Sequence, residues 1–78
     1  MREVECSREA SDYLMDSWPY TEPVLRALVS LSRSSALPGE ELEAGSYLWQ
    51  VAEHMLIYER RGSNLRVTII KPNPDLEP

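Results

Sequence analysis

Hydrophobic and polar residues alternate in the second half of the chain in a pattern that is typical of β-strands. Tyr47, Trp49 and Val51 recur with a period of two, which places their side chains on one face of a sheet. The two runs that follow are rich in the β-branched, aliphatic and aromatic residues that favour strands. The pattern therefore predicts three consecutive antiparallel strands at 46–51, 54–61 and 65–71.

Short turns separate the three predicted strands. A tight reversal is expected at Ala52 and Glu53, between the first strand and the second. Gly62, Ser63 and Asn64 form the clearest turn in the sequence, because Gly and Asn tolerate the positive φ that short hairpin loops need. Three strands need a second layer to be stable in water, so we expect the first half of the chain to supply one.

The first half of the chain predicts two helices. Ser7 is a suitable N-cap for the first helix, and apolar residues then recur at helical spacing until Pro19 ends it. Thr21 is the expected cap of the second helix, which ends before Pro38 and Gly39. The predicted buried stripes consist of Ala10, Tyr13, Leu14 and Trp18 in the first helix and of Val24, Leu25, Leu28 and Leu31 in the second.

These elements predict an α+β fold with the order β-α-α-β-β-β. A short first strand within residues 2–6 precedes a helical hairpin, 8–34, that packs on one face of an antiparallel sheet. Trp18 and Trp49 are the expected anchors of the core, and the acidic segment 40–44 is expected to be a surface loop or one short turn. Residues 1–71 then form a single domain. Alternate prolines predict that 72–78 is a tail that cannot continue a strand.

Composition and charge narrow the functional classes. A chain of 78 residues is long enough for one domain, and 13 acidic against 8 basic residues give a net charge of −5, which disfavours general binding to nucleic acid. Cys6 is the single cysteine, and no Cys/His cluster has metal-ligand spacing. No apolar run is long enough for a membrane span. We therefore expect a cytoplasmic protein that needs no cofactor, metal or membrane.

Two segments carry a resemblance to a known family. Residues 4–10, VECSREA, resemble the strand and the Ser-x-x-Ala helix entry of the RelE/ParE superfamily of bacterial toxin–antitoxin systems. Residues 47–59, YLWQVAEHMLIYE, resemble that family's passage of tyrosine, alternating arginines, a glycine-aspartate turn, arginine, two aliphatic residues and tyrosine. The resemblance covers most of the chain. It implies a toxin-like fold, a role in toxin–antitoxin systems or plasmid stabilisation, and an antitoxin-like protein partner.

The chain departs from the family at its basic positions. When the segments are aligned on Tyr58, the positions where ribonuclease members carry arginines are Leu48, Gln50 and Met55. A ribonuclease needs cations that hold phosphates and an acid–base pair. The candidates that remain in this sequence for these catalytic roles are His54, Glu53, Lys71 and Arg66. Of these, His54 and Lys71 are the two named as candidate catalytic residues. Relatives that lack the arginines act by binding a protein target, and this chain is similar to them in that respect.

Other residues allow two interpretations each. His54 is an obvious acid–base candidate because histidine exchanges protons near neutral pH, but it is also an ordinary polar residue beside a hairpin turn. Four of the eight basic residues come late in the chain, where they favour either an acidic partner or a solvated hairpin. The predicted partner-binding residues are Arg60, Arg61 and Arg66 in this hairpin, with Tyr47, Met55 and Leu48 as apolar anchors on the sheet face.

Three functions follow from these interpretations. The first is a RelE/ParE-like protein without nuclease activity that binds another protein. The second is an active endoribonuclease of the same family with an altered set of residues. The third is a small acidic inhibitor or adaptor that occupies a basic surface on another protein, as the run Glu40, Glu41 and Glu43 would allow.

Overall fold

The structure, a computed structural model, describes residues 2–72. These residues form two helices and five strands. In chain order they are β1 (Val4–Cys6), α1 (Arg8–Asp16), α2 (Glu22–Arg33), β2 (Glu40–Glu43), β3 (Ser46–Val51), β4 (His54–Arg61) and β5 (Asn64–Pro72). The predicted α+β class is confirmed, with one more strand than the sequence indicated.

The five strands form a single sheet in the order β1-β5-β4-β3-β2. Four neighbouring strands, β2 to β5, pair antiparallel, whereas β1 runs parallel to β5 at the edge. The sheet is therefore mixed rather than wholly antiparallel. The bounds of β3 and β4 agree with those predicted, and β5 is one residue longer at each end.

Two segments differ from the sequence-based expectation for the sheet. Residues 40–43 form the edge strand β2 and not a loop, because their backbone pairs with β3 although every one of their side chains is exposed. Pro72 stands opposite His54 at the end of β5, beyond the residues 65–67 that pair with β1, so that side of the strand needs no backbone donor there. The remaining residues of the predicted tail, 73–78, lie outside the described part of the chain.

The first helix is shorter than predicted. Ser7 caps it as expected, its Oγ accepting a hydrogen bond from the Ala10 backbone N–H at 3.2 Å. The helix ends at Asp16, and the chain turns through 17–21 with a cis peptide bond between Trp18 and Pro19. Trp18 therefore leaves the helical stripe and is 50% exposed. The prediction that Trp18 anchors the core is wrong.

The core lies between the helices and one face of the sheet. Its buried apolar residues are Ala10, Leu14, Val24, Leu28, Leu31, Leu56, Tyr58, Leu65, Val67 and Ile70. Trp49 packs against this cluster from β3 and is half-buried. Leu25, which was also predicted to be buried, is 42% exposed, because the sheet covers the stripe through Val24, Leu28 and Leu31 rather than the neighbouring position.

Arg2 connects the start of the chain to the end of α2. Its guanidinium donates hydrogen bonds to the backbone carbonyls of Leu31 at 3.3 Å, of Ala36 at 2.6 Å and of Ser34. Its own backbone N–H donates to the Ser32 carbonyl at 3.1 Å. The last carbonyls of a helix have no partner inside the helix, and a cation there is favourable. Arg2 therefore holds the end of α2 beside β1, the strand that begins two residues after Arg2.

We expect Arg2→Ala to lower the free energy of unfolding by about 1–3 kcal/mol, because several charge-assisted hydrogen bonds are lost together. Arg8→Ala is the matched control, since Arg8 is highly exposed and its contact with Asp12 is 4.0 Å long. Urea denaturation of both variants measures the difference. Equal stability of the two variants would show that the Arg2 contacts do not hold α2 in place.

Candidate functional site

His54 is buried at the start of β4, with both ring nitrogens in hydrogen bonds. Its Nδ1 lies 2.8 Å from the Ala52 carbonyl. A carbonyl can only accept, so Nδ1 carries the hydrogen and Nε2 of the neutral ring accepts. Nε2 lies 3.0 Å from the Tyr13 hydroxyl, which is then the donor. His54 is 0% exposed, and this arrangement leaves neither nitrogen open to a substrate.

Two tyrosines enclose the His54 ring. Tyr13 meets it edge-on with 5.7 Å between ring centroids, and Tyr20 lies tilted against it at 4.7 Å. Burial raises the pKa of the Tyr13 hydroxyl, which makes it still harder to deprotonate. These contacts attach α1 and the turn after it to the β3–β4 hairpin. The position of His54 is that of a structural residue.

The hairpin turn before His54 has an uncommon backbone. Ala52 and Glu53 both have positive φ, 47° and 64°, as the two central residues of a type I′ turn require. Neither is a glycine or an asparagine, the residues that adopt this conformation most easily. The hydrogen bond from His54 to the Ala52 carbonyl lies across this turn and helps to hold it.

The structure does not bring the catalytic candidates together. His54 belongs to the face of the sheet that carries the helices, with Leu56 and Tyr58. Lys71 stands opposite Met55 and points from the other face. A layer of backbone therefore separates His54 from Lys71, and no acid–base pair forms between them.

The remaining two catalytic candidates lie elsewhere. Glu53 is exposed at the β3–β4 turn, whereas Arg66 is half-buried near the opposite end of the sheet, opposite Glu59. Together the four candidates do not surround one space in which a scissile phosphate would sit.

The second face of the sheet is not covered within residues 2–72, because both helices lie on the first. We call it the open face. Strand register places Leu48, Ile57 and Ile69 side by side across its centre, with Met55 next to them on β4. All four side chains are half-buried. Strands with one face on a core and the other in water usually carry polar residues on the wet face, so this apolar row is notable.

Charged residues surround the apolar row of the open face. Lys71 is exposed at one end of it, beside Met55. At the other end the register aligns Glu5, Arg66 and Glu59 across β1, β5 and β4. Within residues 2–72, Lys71 has no ion pair, so it is a cation available to a partner.

The predicted basic hairpin is divided between the two faces. Arg61 donates to the Glu59 carboxylate at 2.6 Å, and this contact raises the pKa of the Arg61 guanidinium further. Arg66 has a carboxylate on each neighbouring strand. Arg60 follows Tyr58 by two residues and so points to the helix-bearing face. The arginines therefore do not form one strongly positive patch.

The predicted apolar anchors also separate. Met55 lies on the open face, but Tyr47 lies on the helix-bearing face, where its ring stacks on that of Tyr58 with 5.2 Å between centroids. Burial raises the pKa of Tyr58 to about 12, and its hydroxyl donates to the Pro38 carbonyl. Tyr47 thus supports the core and does not join Met55 at a common surface.

Other candidate chemistry is limited in the described part of the chain. Burial raises the pKa of the Cys6 thiol, which makes it a poor nucleophile at neutral pH. Residues 2–72 contain no group of three or more His, Cys, Asp or Glu side chains arranged to hold a metal ion. They also contain no helix that is long and apolar enough to cross a membrane.

Two comparisons with known proteins found no match for this chain. No protein-family model matches it, and no curated protein matches it significantly. The arrangement of side chains is therefore the basis for any statement about its function.

The sequence analysis named Leu48 and Met55 as anchors on a sheet face, but it missed the complete apolar row that Leu48 forms with Ile57 and Ile69 on the open face. A signal for it was present, because Leu48 and Ile57 are apolar at positions that alternate with the core positions Trp49 and Leu56. A strand that is apolar at consecutive positions predicts burial on both faces. The row Leu48, Ile57 and Ile69 could have been recognised on that ground.

We expect the purified protein to leave messenger RNA intact, with or without ribosomes, because His54 is enclosed and Lys71 lies on the other face. Gel analysis of RNA after incubation measures this. Lys71→Ala is the control that keeps the fold, since Lys71 is exposed. Cleavage by the natural protein that disappears in Lys71→Ala would contradict this assignment and would favour an active endoribonuclease.

Proposed function

We propose that this protein acts by binding another protein through the open face, and that it does so without nuclease activity. The observation that carries this proposal is the apolar row of Leu48, Ile57 and Ile69, with Met55 beside it, on a sheet face that the helices leave uncovered. An uncovered apolar patch with a polar rim is typical of a protein interaction site.

The Lys71 end of the open face supports a partner with an acidic segment. Lys71 is exposed next to Met55, whereas Arg61 is already paired with Glu59. Charges at a rim mainly steer association, and apolar anchors at the centre supply most of the affinity. We therefore assign the affinity to the apolar row and the orientation of the partner to Lys71.

The resemblance to the RelE/ParE superfamily supplies a more specific form of this proposal. The protein is then the toxin-like component of a toxin–antitoxin system, and its partner is an antitoxin-like protein in the cytoplasm. The absence of basic residues at Leu48, Gln50 and Met55 supports binding over RNA cleavage. The order of helices and strands is compatible with that resemblance.

We expect Met55→Glu and Ile57→Glu to weaken binding to the partner about 30-fold or more, because each places a charge in an apolar contact worth about 2 kcal/mol. The tagged protein is used to isolate its partner from a lysate, the partner is identified by mass spectrometry, and the Kd of each variant for the purified partner is measured. Leu42→Glu is the matched control, since Leu42 is an apolar residue that is 50% exposed on the edge strand β2.

Far-ultraviolet circular dichroism and thermal unfolding of each variant establish that the fold is intact. If folded Met55→Glu and Ile57→Glu bind as tightly as the natural protein, the open face is not the interface. If a partner with a basic surface binds them normally but loses affinity when Glu40, Glu41 and Glu43 are changed to Gln, the acidic inhibitor is the better interpretation.

A further inference from the structure

A pocket separate from the open face lies where three distant parts of the chain meet. It has a volume of about 330 Å³ and opens between the start of the chain, the end of α2 and the turn that joins β4 to β5. The residues that line it are Arg2, Arg33, Ser34, Ser35 and Ser63. Each of these side chains is an arginine or carries a hydroxyl, so all five can donate hydrogen bonds. No carboxylate of residues 2–72 is among them.

Arg2 contributes a guanidinium that the fold already holds in place. Its Nε and Nη2 donate to carbonyls at the end of α2, which uses three of the five N–H groups of an arginine. Within the described residues Nη1 makes no hydrogen bond, so its two N–H groups remain for a ligand. The C-terminus of a helix disfavours an anion, but here the charge of Arg2 lies against those carbonyls. One cation of the pocket is therefore in position before any ligand binds.

Arg33 supplies a second cation that no acid neutralises. It is the last residue of α2 and is exposed, and it forms no ion pair within residues 2–72. The other arginine of α2, Arg26, is paired with Glu22 at 2.7 Å. Two guanidinium groups that share a pocket repel each other, and an anion bound between them removes that repulsion.

The acidic residues closest to Arg2 in sequence belong to the other face of the sheet. Val4 and Cys6 pack against the core from β1, and Glu3 and Glu5 alternate with them along the chain. Successive side chains of an extended chain point to opposite faces. Both carboxylates are therefore on the side of the open face, and Arg2 is on the side of the helices. The inference does not depend on the proposed function.

Three serine hydroxyls complete the pocket. The Ser34 Oγ accepts a hydrogen bond from the Ala36 backbone N–H at 3.1 Å, which leaves its own hydrogen available to donate. Ser35 and Ser63 are exposed, and their hydroxyls make no hydrogen bond to other groups in the described part of the chain. Guanidinium and hydroxyl groups are donors that proteins use to hold phosphate oxygens. The five residues together have the chemistry of a phosphate site.

The size and charge of the pocket favour a small phosphate over a nucleic acid. Its volume is near the lower end of the range of about 300–1,000 Å³ for small-molecule sites. Proteins that bind nucleic acid present a basic stripe along the backbone, whereas here two arginines meet at one point and a net charge of −5 opposes a polyanion. A single phosphate group carries a charge of about −1.5 to −2 at neutral pH, which two guanidinium groups balance.

We propose that this pocket binds the phosphate group of a small soluble phosphate monoester between Arg2 and Arg33, with the serine hydroxyls donating to its oxygens. The test is a titration of the isotopically labelled protein with inorganic phosphate and with glycerol phosphate, followed by NMR. Chloride keeps the ionic strength constant, so that screening does not change during the titration. We expect saturable shifts of the Ser34, Ser35 and Ser63 amide resonances, with glycerol phosphate bound at least as tightly as inorganic phosphate.

Variants locate the ligand on the protein. Arg33→Gln is expected to weaken binding of glycerol phosphate about tenfold, because a charge-assisted contact is lost. Arg26→Gln is the matched control, since it makes the same change of net charge on the same helix, and it should bind normally. The spectra show whether each variant is folded. Arg2 is left unchanged because its contacts hold the end of α2.

Several results would overturn the proposal. These are the absence of saturable shifts, weaker binding of glycerol phosphate than of inorganic phosphate, and equal losses of affinity in Arg33→Gln and Arg26→Gln. Short oligothymidylate and vesicles that contain phosphatidic acid are the comparison ligands. If either binds more tightly than glycerol phosphate and loses that affinity in Arg33→Gln, the pocket recognises a nucleic acid or a membrane and not a small phosphate monoester.

Discussion

The structure depends on one constraint, which is that its two helices cover a single face of a five-stranded sheet. Buried Leu56 and Tyr58 of the central strand contact the helix layer, and the same strand presents Met55 and Ile57 to the other side. A chain of this length has enough helix for one layer and no more within residues 2–72. The open face is therefore a direct consequence of how the chain forms its core.

Interactions at the ends of the elements keep this single layer in place. Arg2 holds the end of α2 through backbone carbonyls, and His54 connects α1 to the β3–β4 turn through Tyr13. Both side chains have chemistry that suggests catalysis or anion binding, yet most of their hydrogen-bonding groups are used in the fold. The apolar row of the open face takes no part in these contacts.

The parts of the fold that could be predicted from sequence are those set by local periodicity. The alternation from Tyr47 to Val51 gave the bounds of β3, and the turn residues Gly62 and Ser63 located the β4–β5 hairpin. Contacts between distant residues could not be predicted in this way. Strand β2 has no apolar alternation and exists because it pairs with β3, Trp18 is exposed because α1 ends before it, and the burial of His54 depends on Tyr13, 41 residues away in sequence. The candidate site was predicted as a basic hairpin, but strand register places acids beside its arginines.

We propose that the open face is covered by another protein when this protein functions. The most direct measurement is photo-crosslinking in a lysate of the source organism, with a photoreactive benzoylphenylalanine at position 57, at the centre of the apolar row, and at position 42 as the comparison. We expect one discrete covalent adduct with a partner protein from position 57 and none from position 42. A folded protein that gives no adduct from position 57, or the same adducts from both positions, would contradict it.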